Sequence, residues 1–351
     1  MRNAIVVGIS WMALAVGSVG MPARGASPNL LADSIAEIVQ RMRFPQELPD
    51  RVRAAEDLAT FGEAAVPVLR ELLQSDDPSV RDAACLSLGR MGPQGQGAVA
   101  DLTQIAGNPQ DPLQEMAVYA LRGIGEPATP AASVLGELVF GENSRLSALA
   151  MQTLGKMGPG AAPVLARLLE HSDPEIRIGA ACALERLGPA AAGVAPALVR
   201  AMSDTDRSVG ESAALALAAQ KMNSAETLTD LLDHDSVTTR RRAAMAISQE
   251  TAVVEQSAPA LSDALDDSDS VVRYWAARAL GASKKATSHT IQNLIMALND
   301  QDADVRWQAA ASLARVNAVD EAKASLSKLL QDPNPMVRAQ AERILSQRPA
   351  G

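Results

Sequence analysis

Asp77-Pro78-Ser79-Val80-Arg81-Asp82-Ala83-Ala84-Cys85-Leu86-Ser87-Leu88-Gly89-Arg90-Met91-Gly92-Pro93 decides the fold, because the chain says it more than once. It returns as Asp173-Pro174-Glu175-Ile176-Arg177, with Ala180, Leu184 and Gly188-Pro189 in step behind it. Shorter echoes follow at Val272-Arg273, Val305-Arg306 and Val337-Arg338. A fixed period of this kind sets the architecture before any residue is read for chemistry.

Taking the Arg of Val-Arg as position zero puts that position at Arg51, Arg81, Gln114, Ser147, Arg177, Gly210, Arg241, Arg273, Arg306 and Arg338. The intervals are 30, 33, 33, 30, 33, 31, 32, 33 and 32 residues. Three residues on stands Ala in every copy, from Ala54 through Ala244 to Ala341; four further on stands Leu, with Ser248 the exception. An Asp or Asn (Asp77, Asn143, Asp173, Asp206, Asp269, Asp302, Asn334) precedes position zero where a helix needs its N-cap, and Pro follows at N1 in several copies. Positions −1, +3 and +7 then share one helical face, and the small Ala lets a neighbouring helix approach closely. Gly62, Gly92, Gly125, Gly158 and Gly188 are placed to end the first helix in the left-handed conformation. A second apolar helix follows, as in Val66-Pro67-Val68-Leu69-Arg70-Glu71-Leu72-Leu73. One such hairpin cannot bury both of its faces, so the copies must stack.

A helical hairpin of this length carrying Asp-Pro-x-Val-Arg-x-x-Ala-x-x-x-Leu-Gly-x-x-Gly resembles the short HEAT repeat, the variety known from phycobilisome lyases. The resemblance covers residues 50–348 and implies an all-α, right-handed α-solenoid, a superhelix of about ten HEAT-like hairpins. It implies a protein-binding scaffold more than an activity, since function is carried by sites grafted on such folds. Two catalytic relatives share the architecture. Deoxyhypusine hydroxylases hold iron on His-Glu dyads, whereas the histidines here read His171-Ser172, His234-Asp235 and His289-Thr290. Bilin lyases handle a tetrapyrrole, and no residues here mark a pocket for one. An enzyme-accessory or lyase- or hydroxylase-like protein that handles a cofactor or modifies a protein therefore stands as the alternative reading. Catalytic, cofactor-binding and metal residues are expected to be none.

Composition agrees with close-packed helices: hydrophobic residues make up 47% of the 351, yet aromatics only 2%. A net charge of −9 argues against nucleic acid as the main partner. Arg240-Arg241-Arg242 is the one dense basic run, without the interleaved aromatics that single-stranded nucleic acid favours. At the amino terminus Arg2, an apolar run over residues 4–21 and a small-residue site near Ala23-Arg24-Gly25 read as an export signal over residues 1–25. An uncleaved membrane anchor is the competing reading of the same residues. The expected location is therefore periplasmic or secreted, or membrane-anchored. Residues 28–48 form a capping helix, with Leu31, Ile35, Ile38 and Met42 on one face and Pro45 and Pro49 closing it. Cys85 and Cys182 lie three repeats apart, too far for a disulfide, and are expected to be small buried thiols.

Two sets of residues are candidates for roles beyond packing. Position-zero arginines Arg51, Arg81, Arg177, Arg241, Arg273, Arg306 and Arg338 flank the packing face and are expected to form an inter-repeat ladder with a capping Asp or a carbonyl. Tyr274 and Trp307 both occupy position +1, about 175° from the buried stripe by helical geometry. With Trp275 they form an aromatic group on an expected outward face, and so a candidate partner-binding site. The competing reading is cover over a local packing gap.

Overall fold

The computed structural model describes residues 28–44 and 48–346. The expected export signal or anchor, and Pro45, lie outside the described residues. Twenty α-helices and short 3-10 turns make up the described chain, with no strand among them. Helix α1 (Pro28–Arg43) comes first. The first helices of ten copies are then α2 (Leu48–Ala59), α4 (Pro78–Met91), α6 (Gln114–Ile124), α8 (Ser144–Leu154), α10 (Pro174–Leu187), α12 (Arg207–Ala219), α14 (Val237–Ile247), α16 (Ser270–Leu280), α18 (Ala303–Arg315) and α20 (Pro335–Ser346). The second helices between them are α3 (Val66–Leu72), α5 (Val99–Gly107), α7 (Ala132–Val139), α9 (Ala162–Leu168), α11 (Ala195–Ala201), α13 (Ala225–Asp230), α15 (Thr251–Asp263), α17 (Ser288–Ala297) and α19 (Val319–Lys328).

Each first helix packs on the first helix of the next copy, in unbroken succession from α2 to α20. Second helices form a parallel layer, α5 beside α7, α7 beside α9 and α13 beside α15. The chain is thus an all-α solenoid of two helical layers with one continuous apolar core from Ile38 to Ile344. Every position-(+3) alanine is fully buried, from Ala54 through Ala180 to Ala341. Removing a core leucine such as Leu121 or Leu154 would cost about 2–5 kcal/mol. Helix α1 packs on α2 as a second helix would, with Ile38, Val39 and Met42 buried. Pro49 does not close α1; it stands in the first turn of α2, where its missing N–H is harmless.

Helix boundaries follow from the caps. Asp77, Asp173, Asp206, Asp269 and Asp302 each accept the N–H two residues on, and Asn143 accepts from Leu146. At the other end Gly62, Gly92, Gly125, Gly158 and Gly188 all have φ between 54° and 75°. In the sixth and ninth copies Lys221 and Asn317 also take a positive φ, 57° and 58°.

Candidate protein-binding surface

Position zero lies where the second helix of one copy gives way to the first helix of the next. Arg177 donates through Nη1 to the carbonyls of His171 and Ser172 at 2.7 and 3.0 Å. Its Nε and Nη2 donate to both carboxylate oxygens of Asp204, in the following copy, at 2.8 and 3.1 Å. Arg273 with Asp300 and Arg306 with Asp332 repeat this two-pronged geometry at 2.7 and 2.9 Å. Arg81 pairs with Asp111, and Arg51 reaches Asp77 at 3.5 Å. Arg338 donates to the carbonyls of Asp332 and Pro333. These forked pairs match the planar guanidinium, which lysine could not imitate. In the bidentate rungs the acceptor is not the N-cap expected from the sequence. It is the residue two before it.

That residue, six before position zero, is a second recurring acceptor. Its side chain receives the N–H two residues on, in Ser75, Asn108, His171, Asp204, His234, Asp267, Asp300 and Asp332, and that donor is the N-cap residue in all but the Asn108 turn. The four aspartates in the set are those that also receive an arginine from the preceding copy. Where the preceding copy has Ser147 or Gly210 at position zero, the acceptor is instead His171 or His234. A buried carboxylate without its cation would be costly, and an aspartate stands here only where the preceding copy supplies an arginine. His171 and His234 are therefore turn acceptors.

The seventh copy corrects the sequence register. Arg240, not Arg241, holds position zero: it donates to both oxygens of Asp267 at 2.7 and 3.1 Å and to the carbonyls of His234 and Asp235. Shifting by one residue places Ser236 at the N-cap, Ala243 at +3 and Ile247 at +7, both of the last two fully buried. Ser248 then ceases to be an exception. The triple arginine obscured this, since Val-Arg spacing alone cannot choose among three. Arg241, now at +1, grips the N-cap of the next copy through Asp269, at 2.8 Å from Nε and 2.5 Å from Nη2. Arg242 turns inward and is only 6% exposed. It donates to the carbonyls of Met202 and, at 3.1 Å, Asp204. The Asp204 carbonyl is the one that the missing arginine at Gly210 would have taken. The run is consumed by packing, and burial lowers the basicity of Arg242.

The aromatic candidates are only partly exposed. Tyr274, Trp275 and Trp307 are all half-buried, and Trp275 and Trp307 pack against the core. Helix α16 is packed between the first helices α14 and α18 of the adjoining copies. Tyr274 meets Trp275 edge-on at 5.4 Å, and the Arg278 guanidinium lies 5.2 Å from the Trp275 ring centre. What remains accessible is a partly covered aromatic group.

Sequence reasoning missed exposed apolar residues on the second layer, Phe140 and Met296 among them. Phe140, just after α7, is 44% exposed, with Arg167 at 5.5 Å and His171 at 4.9 Å from its ring. Met296 on α17 is 63% exposed. Neither has a signal in the repeat pattern, because exposed second-helix positions differ from copy to copy. Cys85 is buried, with its thiol pushed up to about 12 by burial, while Cys182, expected to be buried, is half-exposed; both are free. Among the described residues no group of three or more His, Cys, Asp or Glu could hold a metal ion. Among the same residues no helix is long and apolar enough to cross a membrane.

A family model described as HEAT repeats matches residues 35–122, 131–218, 161–248, 225–314 and 291–349. Among curated proteins no sequence matches. Similar solved structures include the karyopherin Kap121p bound to the SUMO protease Ulp1p, at 14% identity and a TM-score of 0.61, and Kap121p bound to Pho4p, at 14% and 0.60. In both, 92% of this chain aligns with 42% of the karyopherin. Kap95p with RanGDP aligns at 14% identity and a TM-score of 0.50, over 92% of this chain and 50% of that one. At such identities the likeness concerns the fold.

Proposed function

The chain belongs to the HEAT-repeat family, and from that premise we propose that it is a non-catalytic scaffold binding one or more proteins along its solenoid surface. One observation carries this. Residues that recur in register are spent on the core, the caps and the rungs, whereas the exposed positions of the second helices follow no consensus along the array. Arg70, Glu137, Phe140, Arg167, Gln292 and Met296 form such a varied, solvent-accessible set. A surface of this kind gathers affinity over several copies, and the array can flex to fit because each copy contacts chiefly its neighbours. The aligned karyopherins, bound to Ulp1p and Pho4p, show the same fold engaged with proteins. Tyr274, Trp275 and Trp307 are a second proposed contact, restricted to the edges that packing leaves accessible.

The 30–33-residue spacing supports the short, phycobilisome-lyase-type repeat and a bacterial source. The apolar leader supports a place in the cell envelope, free if the first 25 residues are removed and tethered if they are kept. A pull-down with the full chain from the envelope fraction of the source organism tests the scaffold. A stoichiometric protein partner supports it. A chain that instead purifies with a chromophore or metal, and retains no protein, would favour the cofactor-handling alternative. Sequencing the mature amino terminus decides between the free and tethered forms.

A further inference from the structure

The connection from first to second helix in the eighth copy departs from all the others. Elsewhere a Gly, a 3-10 turn or a stretch of a few residues joins the two helices. Here residues 281–287 run without helix from the end of α16 to the Thr287 cap of α17. Between this loop and the α18–α19 turn of the next copy lies an open groove of about 580 Å³. Lys284, Lys285, Arg315 and Asn317 line it, and all four are exposed. The chain has only six lysines, and two of them are adjacent here. Many of the arginines are committed to carboxylates or carbonyls, as in the rungs; Lys284, Lys285 and Arg315 form no ion pair with a described residue.

The loop is held in place from behind. Glu255 of α15 accepts from the Ser283 hydroxyl at 3.1 Å and from the Lys284 backbone N–H at 2.7 Å. Ser283 in turn accepts from the Lys285 N–H at 3.1 Å. The backbone is therefore fixed without engaging either ammonium group, which lowers the ordering cost of binding there. Three uncommitted cations around a groove, in a chain of net charge −9, constitute a local reversal of sign.

We propose that this groove docks an acidic peptide segment of a partner protein. The inference rests on the scaffold reading and adds the chemistry of one contact. A short peptide feels the local cations, because the wider negative surface is screened beyond about 8–10 Å at physiological salt. A long polyanion would instead lie across that negative surface, and the groove offers no aromatic ring on which bases could stack.

The test is an anisotropy titration of the full chain with a labelled Glu/Asp-rich nonapeptide, repeated with a single-stranded oligonucleotide and with phosphatidylserine vesicles. Saturable, salt-sensitive peptide binding is expected, weakened about ten-fold or more by Lys284→Glu/Lys285→Glu. It should weaken further with Arg315→Glu. Lys323→Glu/Lys328→Glu on α19 should leave it unchanged. Lys284→Gln/Lys285→Gln, which removes charge without reversing it, guards against misfolding and should give an intermediate loss. Absent saturation, an equal loss in the α19 control, or tighter binding of the oligonucleotide or vesicles would overturn the proposal. A captured partner that is indifferent to Lys284→Glu/Lys285→Glu would sink the groove and leave the scaffold standing. Failure to capture any protein would sink the scaffold whatever the peptide does.

Discussion

The guanidinium of Arg242 occupies the space that a side chain on Gly210 would need: a Cβ at residue 210 would stand 2.1 Å from Arg242 Cζ. One copy lacks its position-zero arginine, and the next copy supplies a guanidinium to the same carbonyl from the other side. The two residues are thus coupled in opposite senses. Arg242→Ala should destabilise the chain by about 2–3 kcal/mol by leaving buried carbonyls unpaired. Gly210→Arg alone should also destabilise, by collision. The double variant should recover much of the loss, since an arginine at 210 could then take the Asp204 carbonyl. Urea unfolding of the four proteins as a double-mutant cycle checks this, and additive losses would count against the coupling.

Matching across copy boundaries gives a second expectation. Ser147 and His171 hold the two positions that elsewhere form an Arg–Asp rung. Ser147→Arg and His171→Asp should each destabilise alone, because each introduces one unpaired charge in a half-buried turn. Together they should interact favourably by about 1–3 kcal/mol. The cycle is read by thermal or urea unfolding, and a coupling near zero would show that the rung geometry cannot be transplanted.

Acid should act through the rungs. The hydrogen bonds from Arg306 hold the Asp332 carboxyl below its usual range, and those from Arg241 do the same for Asp269. In the unfolded chain these carboxyls take up protons at about pH 4. Their contribution is therefore complete above that value and is lost as the pH falls through the lower folded value. Urea midpoints measured from neutral to acid pH should drop steeply below about pH 4 for the wild type. In Arg306→Met they should start lower at neutral pH and fall less steeply. Parallel curves would contradict the assignment.

Half-burial of the aromatics separates packing from binding. Trp307→Ser should cost about 2–4 kcal/mol because the ring lies against the core. Tyr274→Ser, outside that cluster, should cost less than half as much. If Tyr274→Ser nevertheless weakens capture of a partner while Trp307→Ser acts only through stability, the contact is confined to the accessible edge.

What the sequence made legible was whatever recurs. Ten alanines, the Asp caps and the Gly stops specified the hairpin, its boundaries and the stacking, since each is a local requirement repeated in step. The register of the seventh copy was not legible. Three consecutive arginines satisfy the same spacing, and only the partners Asp267, Asp269 and the Asp204 carbonyl tell them apart. Position +1 is not uniform: Tyr274 and Trp307 are half-buried, whereas Ala148 and Ala339 at the same position are exposed, and helical angles on an isolated helix cannot tell them apart. The acceptor six residues before position zero was hidden because Ser, Asn, His and Asp all perform it. Phe140, Met296 and the Lys284–Lys285 loop lie where the copies differ, so periodicity could not single them out.

The central claim is that binding resides on the varied second-helix surface and that the recurring residues only build the array. A photo-crosslinking scan of the full chain measures this most directly. A photoreactive amino acid is placed in turn at exposed second-helix positions Glu137, Arg167 and Gln292 and at exposed first-helix positions Arg53, Ala148 and Ala339, with unfolding midpoints held equal. Crosslinks to the same partner from the second-helix positions, and none from the first-helix positions, are the predicted result. Crosslinks confined to the first helices would contradict the account.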